Sequence, residues 1–286
     1  MTDLKKIEEL RGQYHQLAVG KESLLQMLAE AEVSEQVYNS NAIENSTLSL
    51  DETEKILLQI DLDRFINQRE MFEAKNLALV VEYINKSAPQ KELNLEMTLF
   101  LHKMLISNIR DGIAGRFRQG NEYVRVGNHI APAPQDVVRL LQEMLAKYHG
   151  SYGQDIALRI ARLHLDFENI HPFVDGNGRI GRVINNFMLI KEGFVPINIK
   201  FIDRAQYYDA FKEFDLKQET KIMKDIVGKA LTNSYYKRLA YLRGEKIITL
   251  AQHAKDNKIS HSNLLNKAKR QTISAFLERG MWKIGV

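Results

Sequence analysis

Cysteine is absent from this chain of 286 residues, which excludes disulfide bonds and thiolate metal sites. Long apolar runs are absent too, since no stretch reaches the roughly 20 residues that a membrane-spanning helix needs. The first six residues lack the apolar centre of a signal peptide. Together these absences predict a cytoplasmic protein without a membrane partner.

Proline is scarce, with five residues at positions 89, 132, 134, 172 and 196, and the periodic segments of the chain are mostly helical. The hydrophobic fraction of 44% and the charged fraction of 27% are ordinary for a globular protein. The length allows about two domains and a sizeable core. The sequence therefore predicts a mainly α fold.

Residues 171–182 are the most informative segment and read His-Pro-Phe-Val-Asp-Gly-Asn-Gly-Arg-Ile-Gly-Arg. Apolar residues recur at helical spacing before the segment, in 156–170, and after it, in 180–188. Pro172 should end the first helix at or near His171. The segment is therefore predicted to be a loop that leads into the N-terminus of a buried helix.

Such a loop is suited to binding anions, because the first N–H groups of a helix have no intrahelical partner. Gly176 and Gly178 permit backbone conformations that turn successive N–H groups toward one point. Arg179 and Arg182 lie three apart on one helix face and can clamp phosphate oxygens. These residue types predict a polyphosphate site.

Two further side chains of the loop carry chemistry. Asp175 supplies a hard oxygen ligand of the kind that Mg²⁺ uses alongside substrate phosphates. His171 is the candidate general base. The alternative is a structural corner between two helices, in which His171 only caps a helix and the glycines only make a turn.

The segment resembles the signature of the Fic domain, His-x-Phe-x-(Asp/Glu)-Gly-Asn-Gly-Arg-x-x-Arg, at every fixed position. Fic enzymes typically transfer AMP from ATP to a Ser, Thr or Tyr hydroxyl of a target protein. The resemblance implies that His171 deprotonates the hydroxyl and that Asp175 binds Mg²⁺. The residues that it implies hold the phosphates are Gly176, Asn177, Gly178, Arg179 and Arg182. Relatives with Lys in place of Gly178 include phosphate-transferring toxins, so the chain resembles the AMP-transferring branch.

Residues 115–118 and 124–134 resemble the flap of the family, a β-hairpin over the active site. Gly127 and Asn128 are a turn signal within it. An edge strand here could hold an extended target segment by β-augmentation, so 122–131 is the predicted docking site of the target protein. The alternative is a surface hairpin without a partner.

Ser40, Glu44 and Asn45 resemble the inhibitory motif (Ser/Thr)-x-x-x-Glu-(Gly/Asn), which many Fic proteins carry on a helix before the core. In relatives the Glu pairs with the second arginine of the signature, here Arg182, and blocks the seating of the γ-phosphate. Short motifs also match by chance, and a solvated helix is the alternative. Ser49 and the three residues after it predict a capping box that opens the next helix.

Tyr207 and Tyr208 resemble an aromatic pair near the adenine pocket of relatives, which makes Tyr208 a candidate nucleotide contact. Two tyrosines packed into the core are the alternative. Asp215 lies where relatives have an adenine-contacting Asn, so the nucleotide preference stays open. His102, on a helix predicted from position 95 onward, is assigned no role.

Residues 245–286 contain eight basic and three acidic residues, a net charge of +5, while the whole chain carries +4. Thr249 and Ser260 or Ser262 can cap two short helices, and 281–284 predicts a terminal strand. The order resembles a small winged helix-turn-helix, with Lys267, Lys269 and Arg270 on or after the second helix. Such a unit could bind DNA or, alternatively, protein.

These patterns together predict three domains. They are an N-terminal helical region with the inhibitory helix (1–90), a Fic-fold helical core with a small β-hairpin flap (91–244), and the helix-turn-helix-like tail (245–286). The predicted function is protein adenylylation from Mg-ATP, inhibited by Glu44. One alternative is a DNA-binding regulator whose core only senses nucleotide, and another is an enzyme that removes AMP from proteins. Family habits favour a homodimer.

Overall fold

The computed structural model describes residues 4–126 and 129–286. Helices dominate the described residues: α1 (Leu4–Ala18), α2 (Glu22–Ile43), α3 (Leu50–Leu57), α4 (Gln68–Ser87), α5 (Leu95–Ile106), α6 (Val137–Gly150), α7 (Ile156–Ile170), α8 (Asn177–Lys191), α9 (Arg204–Lys217), α10 (Lys221–Leu242), α11 (Leu250–Asp256) and α12 (His261–Lys269). The strands are β1 (Arg125–Val126), β2 (His129–Ile130), β3 (Ile247–Thr249), β4 (Ala275–Glu278) and β5 (Met281–Gly285). The predicted mainly α fold is confirmed. None of the helices described has the length and apolar character that crossing a membrane requires.

The chain divides into two compact units. The larger, called the core unit, comprises Val33–Ile226, and the smaller, called the split unit, comprises Met1–Glu32 and Val227–Val286. These boundaries are drawn from compactness alone. The domain boundaries after residues 90 and 244 remain predictions.

In the core unit, α7 and α8 are buried along most of their length. The apolar stripes predicted on both sides of the signature segment form the core, with Ile160, Phe167, Ile180 and Phe187 fully buried. Burial of such side chains contributes about 1.5–3 kcal/mol each, so the loop between the two helices starts and ends on rigid elements. The loop residue Phe173 is also fully buried.

The first helices after the inhibitory motif follow their sequence signals. The Oγ of Ser49 accepts from the N–H of Glu52, and the Glu52 carboxylate accepts from the N–H of Ser49, so the predicted capping box is confirmed. A loop separates the next two helices, because α4 ends at Ser87 and α5 begins at Leu95.

The flap is smaller than the sequence pattern suggested. Strands β1 and β2 have two residues each and pair antiparallel, with Arg125 opposite Ile130 and Val126 opposite His129. The predicted turn at Gly127 and Asn128 lies outside the described residues. Tyr123 and Val124 precede β1 and are not in a strand.

In the split unit, the tail folds around a small apolar core of its own. Its strands form an antiparallel sheet in the order β3-β5-β4. Thr249 caps α11 and Ser260 caps α12, as predicted, and β5 confirms the terminal strand. Strands β3 and β4 were missed because each is a short apolar run beside a turn. The buried residues of this core are Leu250, Ala254, Leu264, Ala268 and Ala275.

The turn between α11 and α12 lacks the glycine that such turns commonly use. Lys258 adopts the left-handed conformation there, with a φ of 55°. The side chains of Lys267, Lys269 and Arg270 are exposed at the end of α12. A helix, a turn, a second helix and two strands thus follow one another here, while the winged helix-turn-helix and its DNA binding stay predictions.

Candidate active site

The signature loop begins at His171, where α7 ends. The N–H of His171 donates to the carbonyl of Phe167 over 2.9 Å, and His171 then takes a left-handed φ of 49°. Pro172 has no N–H with which to continue the helix. The predicted end of the helix at His171 is confirmed. A non-glycine residue with positive φ is uncommon, and here it turns the imidazole away from the helix axis.

Asn177 fixes the shape of the loop. Its Oδ1 accepts from the N–H of Phe173 and its Nδ2 donates to the carbonyl of Phe173, both over 2.9 Å. The resemblance implied a direct phosphate contact for this amide. In the structure the buried amide is engaged with the backbone and fixes the conformation of the loop, while its contact with phosphate stays a prediction.

His102, to which the sequence assigned no role, supports the same loop from α5. Its Nδ1 accepts from the N–H of Gly115 over 3.1 Å, and its Nε2 lies 3.0 Å from the carbonyl oxygen of Asp175. Its ring also stacks on Phe173 with ring centroids 3.7 Å apart. Burial lowers the pKa of His102 to about 4, so the imidazole is neutral and bridges two backbone groups. Neither partner lies near His102 in the sequence, and no local pattern could have revealed them.

The two glycines of the loop have different roles. Gly176 precedes α8 with a left-handed φ of 83°, as predicted. Gly178 lies within the first turn of α8 and is not among the residues with positive φ, so the prediction that it supplies a special backbone conformation was wrong. A Cβ added at Gly178 would lie 2.2 Å from Oε1 of Glu44. The absence of a side chain at Gly178 therefore leaves room for the Glu44 carboxylate, which packs directly against the helix start.

Arg182 contacts two residues of the inhibitory motif, Ser40 and Glu44. Its Nη2 lies 2.9 Å from Oε1 of Glu44 and 2.8 Å from the carbonyl oxygen of Ser40. Its Nε donates to Oγ of Ser40 over 2.9 Å. The remaining nitrogen donates to the hydroxyl of Tyr207 over 3.1 Å. The pair of Arg182 and Glu44 is the one that the resemblance implies.

Asn45 explains the last position of the inhibitory motif. Helix α2 ends at Ile43, and Asn45 has a left-handed φ of 69° with its N–H bonded to the carbonyl of Ala42. Glycine and asparagine tolerate this conformation best at the end of a helix. The motif is thus the C-terminal end of a helix, with Glu44 in the turn that follows it.

Asp175 and Arg179 lie in a network of charges beside the loop. Asp175 is within 4 Å of three guanidinium groups, at 2.9 Å from Arg69, 3.4 Å from Arg179 and 3.8 Å from Arg110. Arg179 also pairs with Glu73 over 3.1 Å. Both residues predicted to bind phosphate and metal are thus engaged with neighbours in this state.

The carboxylate of Asp175 fits a metal that brings most of its own ligands. The described residues contain no group of three or more His, Asp and Glu side chains placed to hold a metal ion. Mg²⁺ usually binds through one or two carboxylates together with substrate phosphates and water. A single carboxylate beside a helix N-terminus suits this mode of binding.

The imidazole of His171 is oriented by the last turn of α7. Its Nδ1 lies 3.3 Å from the carbonyl oxygen of Glu168, which can only accept, so Nδ1 carries the proton and Nε2 has a free lone pair. Burial lowers the pKa of His171 to about 4. The ring is therefore neutral at pH 7 and able to take a proton.

Glu168 is a buried carboxyl group close to His171. Its Oε1 is buried and accepts no hydrogen bond from the described part of the chain, and its Oε2 lies 3.8 Å from Nδ1 of His171. Burial raises the pKa of Glu168 to about 8, and the negative charge of Glu44 contributes to the rise. The side chain is therefore mostly protonated at pH 7.

Glu168→Gln should make the fold less sensitive to alkaline pH. The pKa of Glu168 is higher in the folded state than in the unfolded state. The stability that its protonated carboxyl group contributes below pH 4.5 is therefore lost as the pH rises toward about 8. Glutamine cannot ionise and therefore removes this loss. We expect the free energy of unfolding of the variant to exceed that of the parent by on the order of 1 kcal/mol at pH 8, because the fold relaxes around the buried charge of the parent and reduces its cost. Thermal unfolding at pH 5 and pH 8 measures it. A difference between variant and parent that is the same at both pH values would contradict this assignment.

A cavity of about 410 Å³ opens beside the loop, within the size range of small-molecule sites. It brings together the proposed base, the inhibitory carboxylate, the helix start, the tyrosine pair and the flap. Asp215, predicted near the adenine, lies 3.8 Å from His129 of the flap. The lining residues that matter here are Glu44, Val126, His129, Glu168, His171, Gly178, Tyr207, Tyr208 and Asp215.

Comparison with known proteins agrees with this geometry. Residues 92–189 match the model of the Fic/DOC family. Protein adenylyltransferase Fic of Drosophila melanogaster is 27% identical over 290 residues, which cover 97% of this chain and 58% of that protein. Its counterpart in Drosophila virilis is 31% identical over 205 residues, which cover 68% of this chain and 41% of that protein. The matched segments thus span about half the length of these curated relatives, 58% and 41%.

Two solved structures show the same fold. Fic-1 from C. elegans matches with a TM-score of 0.72 at 26% identity, over 82% of this chain and 70% of that chain. A Fic domain-containing signalling protein from Bacteroides thetaiotaomicron matches with a TM-score of 0.74 at 21% identity, over 84% of this chain and 97% of that chain. With the complete signature at residues 171–182 inside them, residues 92–189 form a domain of the Fic/DOC family.

Proposed function

We propose that this chain is a protein adenylyltransferase that transfers AMP from Mg-ATP to a Ser, Thr or Tyr hydroxyl of a target protein. The observation that carries the proposal is the cavity in which Nε2 of His171 has a free lone pair beside the start of α8. The names of the Drosophila relatives, protein adenylyltransferase Fic, support the same reaction.

In this reaction the target hydroxyl attacks the α-phosphorus of ATP. A bond forms between the hydroxyl oxygen and phosphorus, the bond from phosphorus to the pyrophosphate oxygen breaks, and the hydroxyl proton moves to Nε2 of His171. Because Nδ1 donates to the carbonyl of Glu168, the ring keeps Nε2 available for this proton. Catalysis then depends mainly on positioning and electrostatics.

The phosphates are proposed to bind at the start of α8. The backbone N–H groups after Gly176, the guanidinium of Arg182 and that of Arg179 supply the positive field. Asp175 would hold Mg²⁺, which neutralises charge on the phosphates during transfer. Tyr208 lines the cavity and is the proposed contact to the nucleotide.

Glu44 is proposed to inhibit the enzyme by occupying this anion site. Its carboxylate pairs with Arg182 and packs against Gly178 at the helix start, where the dipole favours a negative group. A γ-phosphate needs the same arginine and the same space. The wild-type enzyme is therefore proposed to be nearly silent until Glu44 moves.

The proposal is tested by incubating the Glu44→Gly variant with a cell lysate and ATP labelled at the α- or the γ-phosphate. Label in protein from α-labelled ATP only, with the mass of an adenylyl group on a hydroxyl residue, is the expected result. Label from γ-labelled ATP would indicate phosphate transfer instead. Release of AMP from a modified protein by wild type would favour the reverse reaction, for which Glu44 lies in the same cavity as His171.

Three partners are proposed for this chain: a target protein, a second copy of the chain and DNA. The target protein is proposed to dock at residues 122–131, and a homodimer is proposed from family habit and tested by light scattering. DNA is the proposed partner of the tail, since the basic side chains at the end of α12 are exposed. A DNA-binding regulator without transfer activity remains the second candidate function.

If the tail binds DNA, its affinity should fall steeply with salt. The double variant Lys267→Ala with Arg270→Ala should reduce the slope of log affinity against log salt by roughly one for each phosphate that the tail no longer neutralises. Fluorescence anisotropy with a labelled duplex at several salt concentrations measures this. Lys86→Ala with Lys91→Ala, which removes the same charge from exposed positions elsewhere, is the control. A tail without DNA affinity at low salt would leave protein binding as its role.

A further inference from the structure

The carbonyl group at the end of α2 is covered by side chains of α9. The last carbonyl groups of a helix have no partner within the helix. At Ile43 the carbonyl oxygen accepts from Nε of Arg204 over 2.9 Å and from the hydroxyl of Tyr208 over 3.2 Å. A cation near this end also interacts favourably with the helix dipole.

Arg204 makes a second contact on the other side of Glu44. Its Nη2 donates to Oδ1 of Asn45 over 2.6 Å. One guanidinium thus binds both residues that flank Glu44 in the sequence. The guanidinium lies over the ring of Tyr208, 5.0 Å from its centroid, which restricts the plane in which it can donate.

Glu44 itself has few restraints of its own. Its side chain is 35% exposed, whereas its partner Arg182 is 8% exposed. Besides the contact with Arg182, the turn that carries Glu44 is held by backbone hydrogen bonds from Glu44 and Ser46 to the carbonyl of Asn41 and from Asn45 to the carbonyl of Ala42. An exposed carboxylate on a turn loses side-chain and backbone freedom when it pairs, so a preset turn strengthens the pair.

We propose that Arg204 is a positioning residue for inhibition, which holds the turn at residues 43–45 so that Glu44 reaches Arg182. Arg204 does not belong to the Fic signature or to the inhibitory motif. It acts on the nucleotide site through the turn, by binding the residues on either side of Glu44. This inference rests on the proposed function, since it concerns the inhibition of the same site.

Arg204→Ala should activate the enzyme without a change in the catalytic residues. We expect AMP incorporation to rise about five- to thirtyfold, which corresponds to a loss of about 1–2 kcal/mol from the closed state. Amide hydrogen exchange at residues 44–46 should increase in parallel. Arg204→Lys, which keeps the charge but has a single donor group, should give a smaller change in both.

The controls separate this role from general destabilisation. Arg139→Ala removes an exposed arginine that makes two ion pairs, with Asp136 and Glu143, and should change neither measurement. Arg204→Ala combined with Glu44→Ala should be no more active than Glu44→Ala alone, because there is no inhibitory pair left to release. An equal kcat of this double variant and of Glu44→Ala shows that the catalytic site is intact.

Two results would overturn the proposal. The first is unchanged amide hydrogen exchange at residues 44–46 in Arg204→Ala. The second is a double variant, Arg204→Ala with Glu44→Ala, that transfers AMP faster than Glu44→Ala alone. If Arg204→Ala does not fold, amide hydrogen exchange at residues 44–46 in Arg204→Lys is the deciding measurement. If Glu44→Ala itself transfers no AMP, the proposed function fails, while the exchange measurement still tests whether Arg204 holds the turn.

Discussion

His171→Ala in the Glu44→Gly background is expected to lose AMP transfer by about 10²–10⁴-fold, the usual cost of removing a general base. The imidazole touches the last turn of α7 through Nδ1, and no phosphate-binding residue depends on it for a hydrogen bond in the described part of the chain. ATP affinity should therefore change little. Labelled AMP incorporation gives the rate, and fluorescence of a labelled ATP analogue gives the affinity.

The control for this loss is His149→Ala, which removes an exposed histidine of α6. It should leave rate and affinity unchanged. His171 also occupies a left-handed position at the end of α7, so thermal unfolding of the alanine variant must be checked. Undiminished transfer by a folded His171→Ala variant would exclude His171 as the base.

Glu44→Gly should raise AMP transfer by on the order of ten- to a hundredfold, because a charge-assisted pair of this kind is worth about 1.5–3 kcal/mol. The substitution frees Arg182 and the space at Gly178 for the γ-phosphate. Because α2 ends at Ile43, glycine at position 44 lies beyond the last helical residue. The helix penalty of roughly 1 kcal/mol for an interior glycine should therefore be small here.

Glu44→Gln tests the charge at nearly constant shape and should give part of the activation. Glu44→Gly with His171→Ala should be silent again, which shows that the gained activity uses the same site. If Glu44→Gly and Glu44→Ala fold and bind ATP but transfer no more AMP than wild type, the role of Ser40 to Asn45 in inhibition is disproved.

Local signals predicted the local structure well. Pro172 and the apolar stripes placed the signature loop between two helices, and Ser49, Thr249 and Ser260 marked helix starts that the structure confirms. Each of these effects acts within one helical turn. A single sequence contains such information directly.

The features that were missed depend on contacts between distant segments. The role of Gly178 is set by Glu44, and that of His102 by the carbonyl of Asp175 and the N–H of Gly115. Arg204 belongs to the same class, since nothing beside it in the sequence points to the end of α2. Residue type limits what such side chains can do, but only the fold determines which groups they meet.

Gly178 lies where the proposed phosphate site and the proposed inhibitory carboxylate of Glu44 meet. A lysine at position 178 would extend its side chain into the space that the carboxylate of Glu44 occupies in this chain. A Gly178→Lys variant would therefore have to displace Glu44 from its place beside Arg182. Glycine at this position thus leaves the start of α8 open both to the proposed phosphates and to the carboxylate that is proposed to exclude them.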